Sequence, residues 1–371
     1  MTSASTRPAQ GVFQRHAKGG GFLRQSAYSY QPSRDDIWVP PPLVRQYGLI
    51  EGADIIGEAQ PGDRGLRLTS VTSIHGLSPE AFLSRSKFDK LTALNPEERI
   101  RLGDSGNRSM RIIDLVAPIG KGTRGLIVAQ PRTGKTTLLE EMAASIRQTE
   151  PEAKLLVLLI DERPEEVTQF RRTVDAEVLA SSLDEGVEAH VQLVEMAMAR
   201  IRCDLECGRD VIVLVDSLTR MARAFNQSGV GTRRTLSGGV DARALEIPRR
   251  FFGMARNVEH GGSVTVLATA LIDTGSRMDD YVFQEFKGTG NCEIVLQRDL
   301  ADRRLFPAID VKSSGTRRDE KLYNESEIDW IHGLRRAILS TDPQRGIEAL
   351  LKLVSSTPDN ATLMKTPLSR F

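Results

Sequence analysis

Cysteine is scarce in this chain, with three residues in 371, so the sequence holds no framework of paired disulfides and fits a reducing compartment. Long apolar runs are also missing: the densest ones, at 155–160 and 211–215, are too short to cross a membrane. The polar N-terminus lacks the apolar core of a secretory signal. A net charge of only +1 argues against a histone-like binder, although arginines can still be concentrated locally. We therefore predict a cytoplasmic protein with no membrane partner.

What the chain does contain changes along its length. Residues 1–10 are rich in Ser, Thr and Pro and are predicted to form a disordered leader. Residues 11–74 hold about five short strand-like runs separated by Pro, Gly and Asp, which predicts a small β-barrel. Residues 75–110 have the character of a linker with a helix or two. From 111 to 371, continuous apolar strands alternate with helical stretches, which predicts an α/β domain with a mostly parallel sheet covered on both faces.

The motif AQPRTGKTT, at 129–137, follows an apolar strand and opens a helix. This is the context of a phosphate-binding loop, in which successive backbone N–H groups and the helix N-terminus surround an anion. Lys135 is placed to reach the β- and γ-phosphates of ATP, and Thr136 to offer its hydroxyl to Mg²⁺. The general pattern begins with glycine, whereas this chain has Ala129, and a chance turn before a helix is the alternative. ATP and Mg²⁺ are the predicted cofactors.

Acidic residues follow two other buried strands. Asp216 ends the run DVIVLVDS, and a carboxylate at the C-terminal end of a parallel strand lies beside the phosphates in this architecture, where it can hold the Mg²⁺ shell. Glu162, in LLVLLIDERPEE, is placed to orient and deprotonate the attacking water. Asp161 is the alternative for that role. For Asp216 and Glu162, the alternative is an ordinary structural role as acidic capping residues at the start of a helix.

Arginines are numerous where a phosphate site can use them: Arg132, Arg163, Arg220, Arg303, Arg304 and Arg317. By residue pattern alone, each is more often a solvated surface side chain than a ligand. An arginine of SGTRR, on a glycine-containing loop late in the domain, is nevertheless placed to reach the phosphate of a neighbouring subunit.

Seven further segments occur in order: IIDLVAPIGKGTRGLIVA, LIDERPEEV, GRDVIVLVDSLTRMARAF, SGGVDARAL, PRRFFGMARNVEHGGSVTVLATALIDTGSRMDD, FKGTGN and RLFPAIDVKSSGTRR. Together they resemble the Rho family of transcription termination factors, which are RecA-like hexameric ATPases. The resemblance is dense over 111–320. It implies a bacterial homohexamer that uses ATP to move 5′-to-3′ along single-stranded RNA. It also implies release of transcripts from the RNA polymerase elongation complex.

The resemblance also implies roles for individual residues. The residues assigned to nucleotide binding are Pro131, Arg132, Thr133, Gly134, Lys135, Thr136, Thr137, Arg163, Asp216 and Phe306. Of these, Thr136 and Asp216 are also assigned to Mg²⁺. Glu162 corresponds to the catalytic carboxylate, acting with Lys135. Arg163 senses the γ-phosphate and Phe306 stacks on the adenine. Arg317 looks like the finger inserted from the next subunit, with Arg304 nearby.

In such rings, RNA contacts come from two loops that line the central channel. The first corresponds to 228–239, where Arg233 and Arg234 stand in place of the single lysine usual in the family. The second is TGSRMDD, where Arg277 takes a position often held by lysine. Copies of these arginines around a ring would surround the RNA backbone with positive charge, and arginine in place of lysine changes geometry more than charge.

The segments GGGFLR and DDIWVP resemble the RNA-binding strands of a cold-shock-like OB-fold barrel. Phe22 and Trp38 are expected to stack on bases, and Arg24 and Asp36 are expected to form hydrogen bonds with the base edges. Packing inside the barrel is the alternative for the two aromatic residues.

This chain also departs from the family pattern. Gly20 stands where the family prefers a second aromatic residue, and Gly65 stands where another aromatic residue is common. Weaker or altered single-strand binding is therefore expected. The barrel begins near residue 11, which leaves out the helical N-terminal subdomain usual in this family.

Two other functions are compatible with parts of the sequence. Catalytic-type subunits of rotary or export ATPases share a DLVAPIGKGTRG-like lead-in and a preceding β-barrel. The residues after about 320 are too few for their larger helical C-terminal domain, and GGVDARAL and TALIDTGSRMDD favour the Rho family. The second alternative is a Rho-derived RNA-binding regulator without termination activity. The intact set of predicted catalytic residues argues against lost hydrolysis.

Overall fold

A computed structural model describes residues 6–62, 65–229, 241 and 243–368. Its N-terminal part is a closed barrel with the strand order β1-β2-β3-β5-β4. The strands are β1 (Arg7–Arg15), β2 (Gly21–Arg24), β3 (Ile37–Val39), β4 (Asp54–Gly62) and β5 (Gly65–Ile74). Neighbouring strands are antiparallel except β3 and β5, which are parallel. Each strand corresponds to one of the five apolar runs, so the predicted barrel is confirmed.

The start of the barrel differs from the prediction. Strand β1 begins at Arg7, inside the segment that was predicted to be a disordered leader, and its residues 7–12 pair with 54–59 of β4. Ala9 is buried in the barrel core. A polar composition predicts disorder only where the backbone finds no partner strand, and here β4 supplies one.

The C-terminal part contains a sheet of nine described strands. Its main path runs β11-β10-β12-β14-β9-β15-β16, and β13 and β6 add to it beside β14. The strands are β6 (Ala93–Leu94), β9 (Arg124–Ala129), β10 (Lys154–Glu162), β11 (Glu177–Ser182), β12 (Val211–Asp216), β13 (Arg256–Val258), β14 (Ser263–Leu271), β15 (Cys292–Leu296) and β16 (Gly315–Thr316). The pairs from β11 to β15 along this path are parallel. A separate pair joins β7 (Arg99–Ile100) to β8 (Ile119–Gly120).

Helices cover both faces of this sheet. The α-helices are α1 (Pro41–Gln46), α2 (Pro79–Ser84), α3 (Arg108–Val116), α4 (Lys135–Thr149), α5 (Pro164–Thr173), α6 (Val187–Glu206), α7 (Leu218–Gln227), α8 (Glu246–Gly253), α9 (Arg277–Lys287), α10 (Arg298–Asp302), α11 (Glu325–Leu339), α12 (Pro343–Ser355) and α13 (Asn360–Leu363). Short 3₁₀ helices lie at Ser26–Tyr28, Phe88–Lys90, Leu102–Ser105 and Asp319–Lys321. Among the described helices, none has the length and apolar character needed to cross a membrane.

Strand β10 shows why the apolar runs are continuous. Leu155, Val157 and Leu159 face the core that contains α3, α4 and α5. Leu156 and Leu158 face the opposite core, which contains α6, α7 and α8. Successive side chains of a strand point to opposite faces, so a strand covered on both sides must be apolar at every position. The predicted doubly covered parallel sheet is confirmed.

Two elements of this part differ from the sequence patterns. The helical stretch that precedes β14 ends at Gly253, and residues 256–258 form β13, which pairs with β14 and β6. The edge strand β11 was not anticipated. Both are short segments whose pairing partners lie elsewhere in the chain, and local periodicity does not reveal such partners.

The barrel packs directly on the sheet-containing part. Gly52, which has a φ of +84°, lies so close to α6 that a Cβ there would be 2.3 Å from the backbone carbon of Ala199. Two barrel residues, Val12 and Tyr30, belong to the apolar core on the α6 face of the sheet. The barrel is thereby held at a fixed position relative to the strands that carry the predicted catalytic residues.

Candidate functional site

The loop between β9 and α4 has the geometry of an anion cradle. Helix α4 begins at Lys135 directly after Gly134, whose φ of +84° is favourable only for glycine. In the described chain, no side chain caps this helix N-terminus, so its first N–H groups are free to face an anion. The hydroxyl of Thr133 donates to the carbonyl of Gln130 at 2.8 Å and closes the loop on itself.

Other parts of the chain support this loop. The guanidinium of Arg298 donates to the carbonyl of Pro131 at 2.7 Å, and its backbone N–H donates to the side chain of Gln130 at 2.9 Å. Arg132, with a φ of +64°, and Thr137 are exposed on the loop and on the first turn of the helix. No sequence pattern singled out Arg298, because α10 is far from the loop in the sequence.

Lys135 meets two buried carboxylates. Its ammonium nitrogen lies 2.5 Å from Asp216 Oδ1 and 3.8 Å from Glu162 Oε1. The two acids are only 1% and 3% exposed. Thr269, on β14, donates a hydrogen bond to Asp216 Oδ1 at 2.8 Å. Burying such charges costs desolvation that their attraction barely offsets, so the cluster contributes little to stability and is typical of a functional site.

Glu162 has the environment of a base. Burial raises the pKa of its carboxyl group, and the charge of Asp216 adds to this effect, while Lys135 and Arg220 oppose it. Arg220 Nε lies 3.4 Å from Glu162 Oε1. A carboxylate with a raised pKa takes a proton from water more readily than an ordinary one.

Asp161, the alternative base, has different neighbours. It lies at the irregularity in the pairing of β10 with β11 and has a φ of +55°. Its carboxylate contacts Arg220 at 3.4 Å and His190 Nε2 at 3.9 Å. Within the described residues, Glu162 and not Asp161 is paired with Lys135. The geometry therefore favours Glu162.

Oxygen ligands for a divalent cation lie in the same place. Asp216 Oδ2 is buried without a hydrogen-bond partner among the described atoms, and the hydroxyl of Thr136 has one distant partner, Glu166 Oε2 at 3.5 Å. Carboxylate and hydroxyl oxygens suit Mg²⁺, which usually takes few protein ligands and completes its shell with phosphates and water. The described residues contain no group of three His, Cys, Asp or Glu side chains able to hold a metal.

A cavity beside the loop has the chemistry of a base pocket. Its volume is about 330 Å³, and Thr137, Leu138, Leu296 and Phe306 contribute to its walls. The Phe306 ring is 40% exposed, and its nearest atom would be 3.2 Å from a Cβ at Gly134. An exposed aromatic face next to a phosphate loop offers a stacking surface for a planar base.

The predicted arginines lie at different places. Arg163 precedes α5, its backbone N–H donates to Glu162 Oε2 at 3.3 Å, and its guanidinium is exposed. Arg317 directly follows β16 at one edge of the sheet, where its N–H donates to the carbonyl of Asn291 at 2.7 Å. Its side chain is exposed, as is that of Arg304. An exposed arginine at a sheet edge is available to a neighbouring molecule.

Three aromatic side chains of the barrel, Phe22, Trp38 and His16, lie close together. The centroids of Phe22 and Trp38 are 5.0 Å apart, and the imidazole of His16 lies 6.0 Å from each of them. Phe22 and Trp38 are partly exposed, so neither is a barrel-core residue. His16 was not singled out from the sequence. It precedes the loop that leads to β2, and only the folding of the barrel brings it to the other rings.

Arg24 and Asp36 bind each other beside these rings. The guanidinium of Arg24 pairs with Asp36 Oδ2, donates to Gln14 Oε1 at 2.7 Å, and lies 5.1 Å from the Phe22 ring centroid. Asp36 Oδ1 is buried without a hydrogen-bond partner in the described chain. That oxygen remains available to accept a hydrogen bond from a bound group.

Gly20 lies underneath the Trp38 indole. A Cβ at Gly20 would be 2.6 Å from Trp38 Cζ2 and 2.6 Å from the carbonyl oxygen of Val39. The indole therefore fills the space that an aromatic residue at position 20 would need. Gly65 has a φ of +115°, and a Cβ there would meet no atom within 4 Å.

The channel-loop arginines are only partly described. Arg277 is the exposed first residue of α9, and the side chain of Ser276 caps this helix by accepting a hydrogen bond from the backbone N–H of Asp279. Asp279 is fully buried and accepts two hydrogen bonds from Arg223, at 2.9 and 2.6 Å. Arg233 and Arg234 lie outside the described residues.

Comparison with known proteins supports the presence of an RNA-binding domain and a nucleotide-binding domain in this chain. The model of the Rho termination factor RNA-binding domain matches residues 9–80, and that of the ATP synthase alpha/beta family nucleotide-binding domain matches 109–316. Transcription termination factor Rho of Cereibacter sphaeroides is 49% identical over 358 residues, which cover 95% of this chain and 85% of that protein. Transcription termination factor Rho of Akkermansia muciniphila is 47% identical over 363 residues, which cover 96% and 76%.

Two solved structures share the fold at low identity. A prototypical ATPase from the type III secretion system of pathogenic bacteria has a TM-score of 0.62 and 20% identity, over 85% of this chain and 90% of its own. The assembled ATPase EscN of enteropathogenic E. coli has a TM-score of 0.60 and 19% identity, over 84% and 76%. At this identity the likeness shows a shared ATPase fold and no more. Nearly half of the residues are identical to those of the named termination factors over almost the whole chain, and the chain belongs to the family of transcription termination factor Rho.

Proposed function

We propose that this protein is an RNA-dependent ATPase of the bacterial cytoplasm that translocates along single-stranded RNA and releases transcripts from the RNA polymerase elongation complex. The observation that carries the proposal is the fixed attachment of a barrel with a partly exposed Phe22–Trp38 pair to a phosphate loop with a Lys135–Asp216–Glu162 cluster. Relatives at 49% and 47% identity bear the name of a termination factor. The alternative of a rotary or export ATPase rests on the nucleotide-binding domain model that matches 109–316 and on solved export ATPases at 20% and 19% identity, and neither accounts for the RNA-binding barrel.

In the proposed reaction, each charged residue of the cluster has one task. The Lys135 ammonium would leave Asp216 to neutralise phosphate charge, and the oxygens of Thr136 and Asp216 would hold Mg²⁺. The metal ion supplies charge neutralisation at the phosphates. Glu162 accepts a proton from the attacking water. The exposed Arg163 senses the terminal phosphate.

We also propose that the active form is a homohexamer. Arg317 lies exposed at the β16 edge of the sheet, whereas Lys135 follows β9. In a ring, that edge would supply Arg317 to the phosphate site of the next copy, as an arginine finger that stabilises the transition state. Exposed Arg277 would contact the RNA backbone inside the ring, together with Arg233 and Arg234.

The barrel would hold RNA by stacking and by contacts to base edges. Phe22 and Trp38 offer aromatic faces for stacking, which tolerates different bases. The free Asp36 Oδ1 would accept a hydrogen bond from a base amino group, while Arg24 would donate to a base oxygen or nitrogen.

The test is ATP hydrolysis with and without cytidine-rich single-stranded RNA. Hydrolysis is expected to rise several-fold or more with the single strand, and not with the same sequence in a duplex. Lys135→Ala is the matched control, because it removes the phosphate-binding ammonium and should stop hydrolysis under both conditions. A wild-type rate that is the same with and without RNA would contradict the proposal.

A second assay separates termination from simple RNA binding. RNA polymerase elongation complexes stalled on a cytidine-rich transcript should release it when the protein and ATP are present. A non-hydrolysable ATP analogue should support RNA binding but no release. ATP hydrolysis that responds to RNA without any transcript release would instead identify an RNA-binding regulator.

A further inference from the structure

The loop between β2 and β3 leaves the barrel and inserts into the sheet-containing part. It joins the two strands that carry Phe22 and Trp38. Tyr28 in this loop is 53% exposed, yet the next two residues, Ser29 and Tyr30, are 3% and 0% exposed. The same loop that links the two RNA-stacking strands therefore places two buried side chains against the ATPase sheet.

Tyr30 is held by charged partners on both sides. Its hydroxyl lies 3.1 Å from Glu177 Oε1, at the start of β11, and 2.8 Å from Arg200 Nη1 on α6. Burial raises the pKa of Tyr30 far above its usual range, so the phenol remains neutral. It can donate to Glu177 and accept from Arg200 at the same time. Arg200 and Glu177 also contact each other, at 3.3 Å, which closes a three-membered network.

Ser29 makes a second contact with the same strand. Its hydroxyl oxygen accepts a hydrogen bond from the backbone N–H of Ala180, on β11, at 2.9 Å. Ser29 and Tyr30 have φ values of +50° and +61°, in the left-handed region that residues with a side chain rarely adopt. Two consecutive residues in this conformation persist only where their surroundings hold them, and contacts to β11 and α6 provide that support.

Strand β11 leads directly to the predicted base. It pairs in parallel with β10, and Ser182 lies opposite Glu162 in the register. The backbone N–H of Leu183 donates to the carbonyl of Glu162 at 2.8 Å. Beside this pair, Ser181 Oγ lies 2.8 Å from Nδ1 of His190, another α6 residue. One edge strand thus contacts the barrel loop along its length and the backbone of Glu162 at its end.

We propose that Tyr30 and Ser29 are positioning residues that transmit RNA occupancy of the barrel to Glu162 through β11. The inference rests on the function proposed above. A base bound at Phe22 and Trp38 would fix β2 and β3, and so the loop between them. The loop would then fix β11 and the backbone position of Glu162. Coupling between two sites requires such an element, whose arrangement is biased by both ligands.

The test compares two tyrosines of the same loop. Tyr30→Phe keeps the buried ring and removes only the hydroxyl that joins Glu177 and Arg200. Tyr28→Phe makes the identical chemical change at the exposed tyrosine and is the matched control. The affinity for cytidine-rich single-stranded RNA is measured from the quenching of Trp38 fluorescence, in a Trp330→Phe background. The ATPase rate is measured without RNA and again with saturating RNA. The thermal unfolding midpoint is recorded alongside.

The expected result is a selective loss of coupling. Tyr30→Phe should leave RNA affinity and the RNA-free rate close to wild type, lower the unfolding midpoint by no more than a few degrees, and lower the stimulation by RNA about five-fold or more. Ser29→Ala, which removes the contact to Ala180, should act in the same direction and provides a second variant if Tyr30→Phe folds poorly. Tyr28→Phe should behave as wild type in every measurement.

Other results would overturn the inference. If Tyr30→Phe and Ser29→Ala keep wild-type stimulation, the loop does not couple the sites. If RNA affinity, both rates and the unfolding midpoint fall together, its contacts are only structural. A wild-type protein that RNA does not stimulate would remove the proposed function as well, whereas a stimulated wild type with unaffected variants would remove the inference alone.

Discussion

Replacing Glu162 with glutamine tests the central assignment of the ATPase site. Glutamine has the same shape and can present its carbonyl oxygen to Lys135 and Arg220, which lie 3.8 and 3.4 Å from Glu162 Oε1. It cannot accept a proton from water at neutral pH. General-base catalysis contributes roughly 10²–10⁴-fold to a rate, so kcat should fall by about that factor. ATP affinity, measured by calorimetry, should change little, because the phosphate loop is intact.

The raised pKa of Glu162 determines the direction of two further effects, one on the pH dependence of kcat and one on stability. In the wild-type protein, kcat should fall as the pH decreases through this raised pKa, because the base must be ionised, and Glu162→Gln should lack this limb. The buried Glu162 carboxyl favours the folded state while it is protonated. This stabilising contribution is complete below the ordinary pKa of glutamate, and it is lost as the pH rises through the raised pKa that Glu162 has in the folded state. Glutamine does not titrate, so at neutral pH the variant should be no less stable than the wild type.

The decisive measurement is single-turnover hydrolysis with the protein in saturating excess over ATP, with the thermal unfolding midpoint of both proteins recorded beside it. Hydrolysis by Glu162→Gln close to the wild-type rate would refute the assignment and make Asp161 the candidate base. A slow variant that also unfolds at a much lower temperature would mean that the substitution damages the fold instead of the chemistry.

Three other predictions concern RNA, assembly and stability. Phe22→Ala or Trp38→Ala should weaken RNA binding by about 5- to 150-fold, corresponding to 1–3 kcal/mol for each stacked base, in a filter-binding assay with ATP affinity as the control. Arg317→Ala and Lys135→Ala proteins should each be inactive, and mixed rings should regain some hydrolysis; no recovery in rings shown by mass to be mixed would argue against a finger in trans. Burial raises the pKa of Asp114 to about 7, so wild-type stability should fall by up to about 4 kcal/mol as pH rises from 4 to 8. Asp114→Asn should flatten this dependence in urea denaturation, and an unchanged slope would exclude Asp114 as its source.

The sequence alone determined the parts of the protein that depend on local pattern. The apolar runs predict β9, β10, β12, β14 and β15 because strands covered on both faces must be apolar at every position. The phosphate loop is equally local, since one strand end, one turn that ends at Gly134 and one helix start are consecutive in the chain. The strand ends marked Asp216 and Glu162 for their roles, and the resemblance then singled out Arg317 as the finger among the arginines of SGTRR.

Other features were decided only by the tertiary structure. The pairing of Lys135 with Asp216 and Glu162 joins the ends of three strands, and the stacking of Trp38 over Gly20 depends on how the barrel closes. The residue pattern marked these residues as candidates but gave no distances between them, so only the family resemblance favoured Glu162 over Asp161 before the structure placed Glu162 beside Lys135.

Some features left no mark in the sequence pattern at all. His16 joins Phe22 and Trp38 only because β1 and β2 are neighbours in the barrel. Tyr30 reads as an ordinary loop tyrosine, yet its hydroxyl meets Glu177, 147 residues further along the chain. The physical reason is the same in each case: periodicity reports which face of an element is apolar, whereas a hydrogen bond between distant residues depends on the packing of whole elements. Only the folded chain brings such partners within reach of each other.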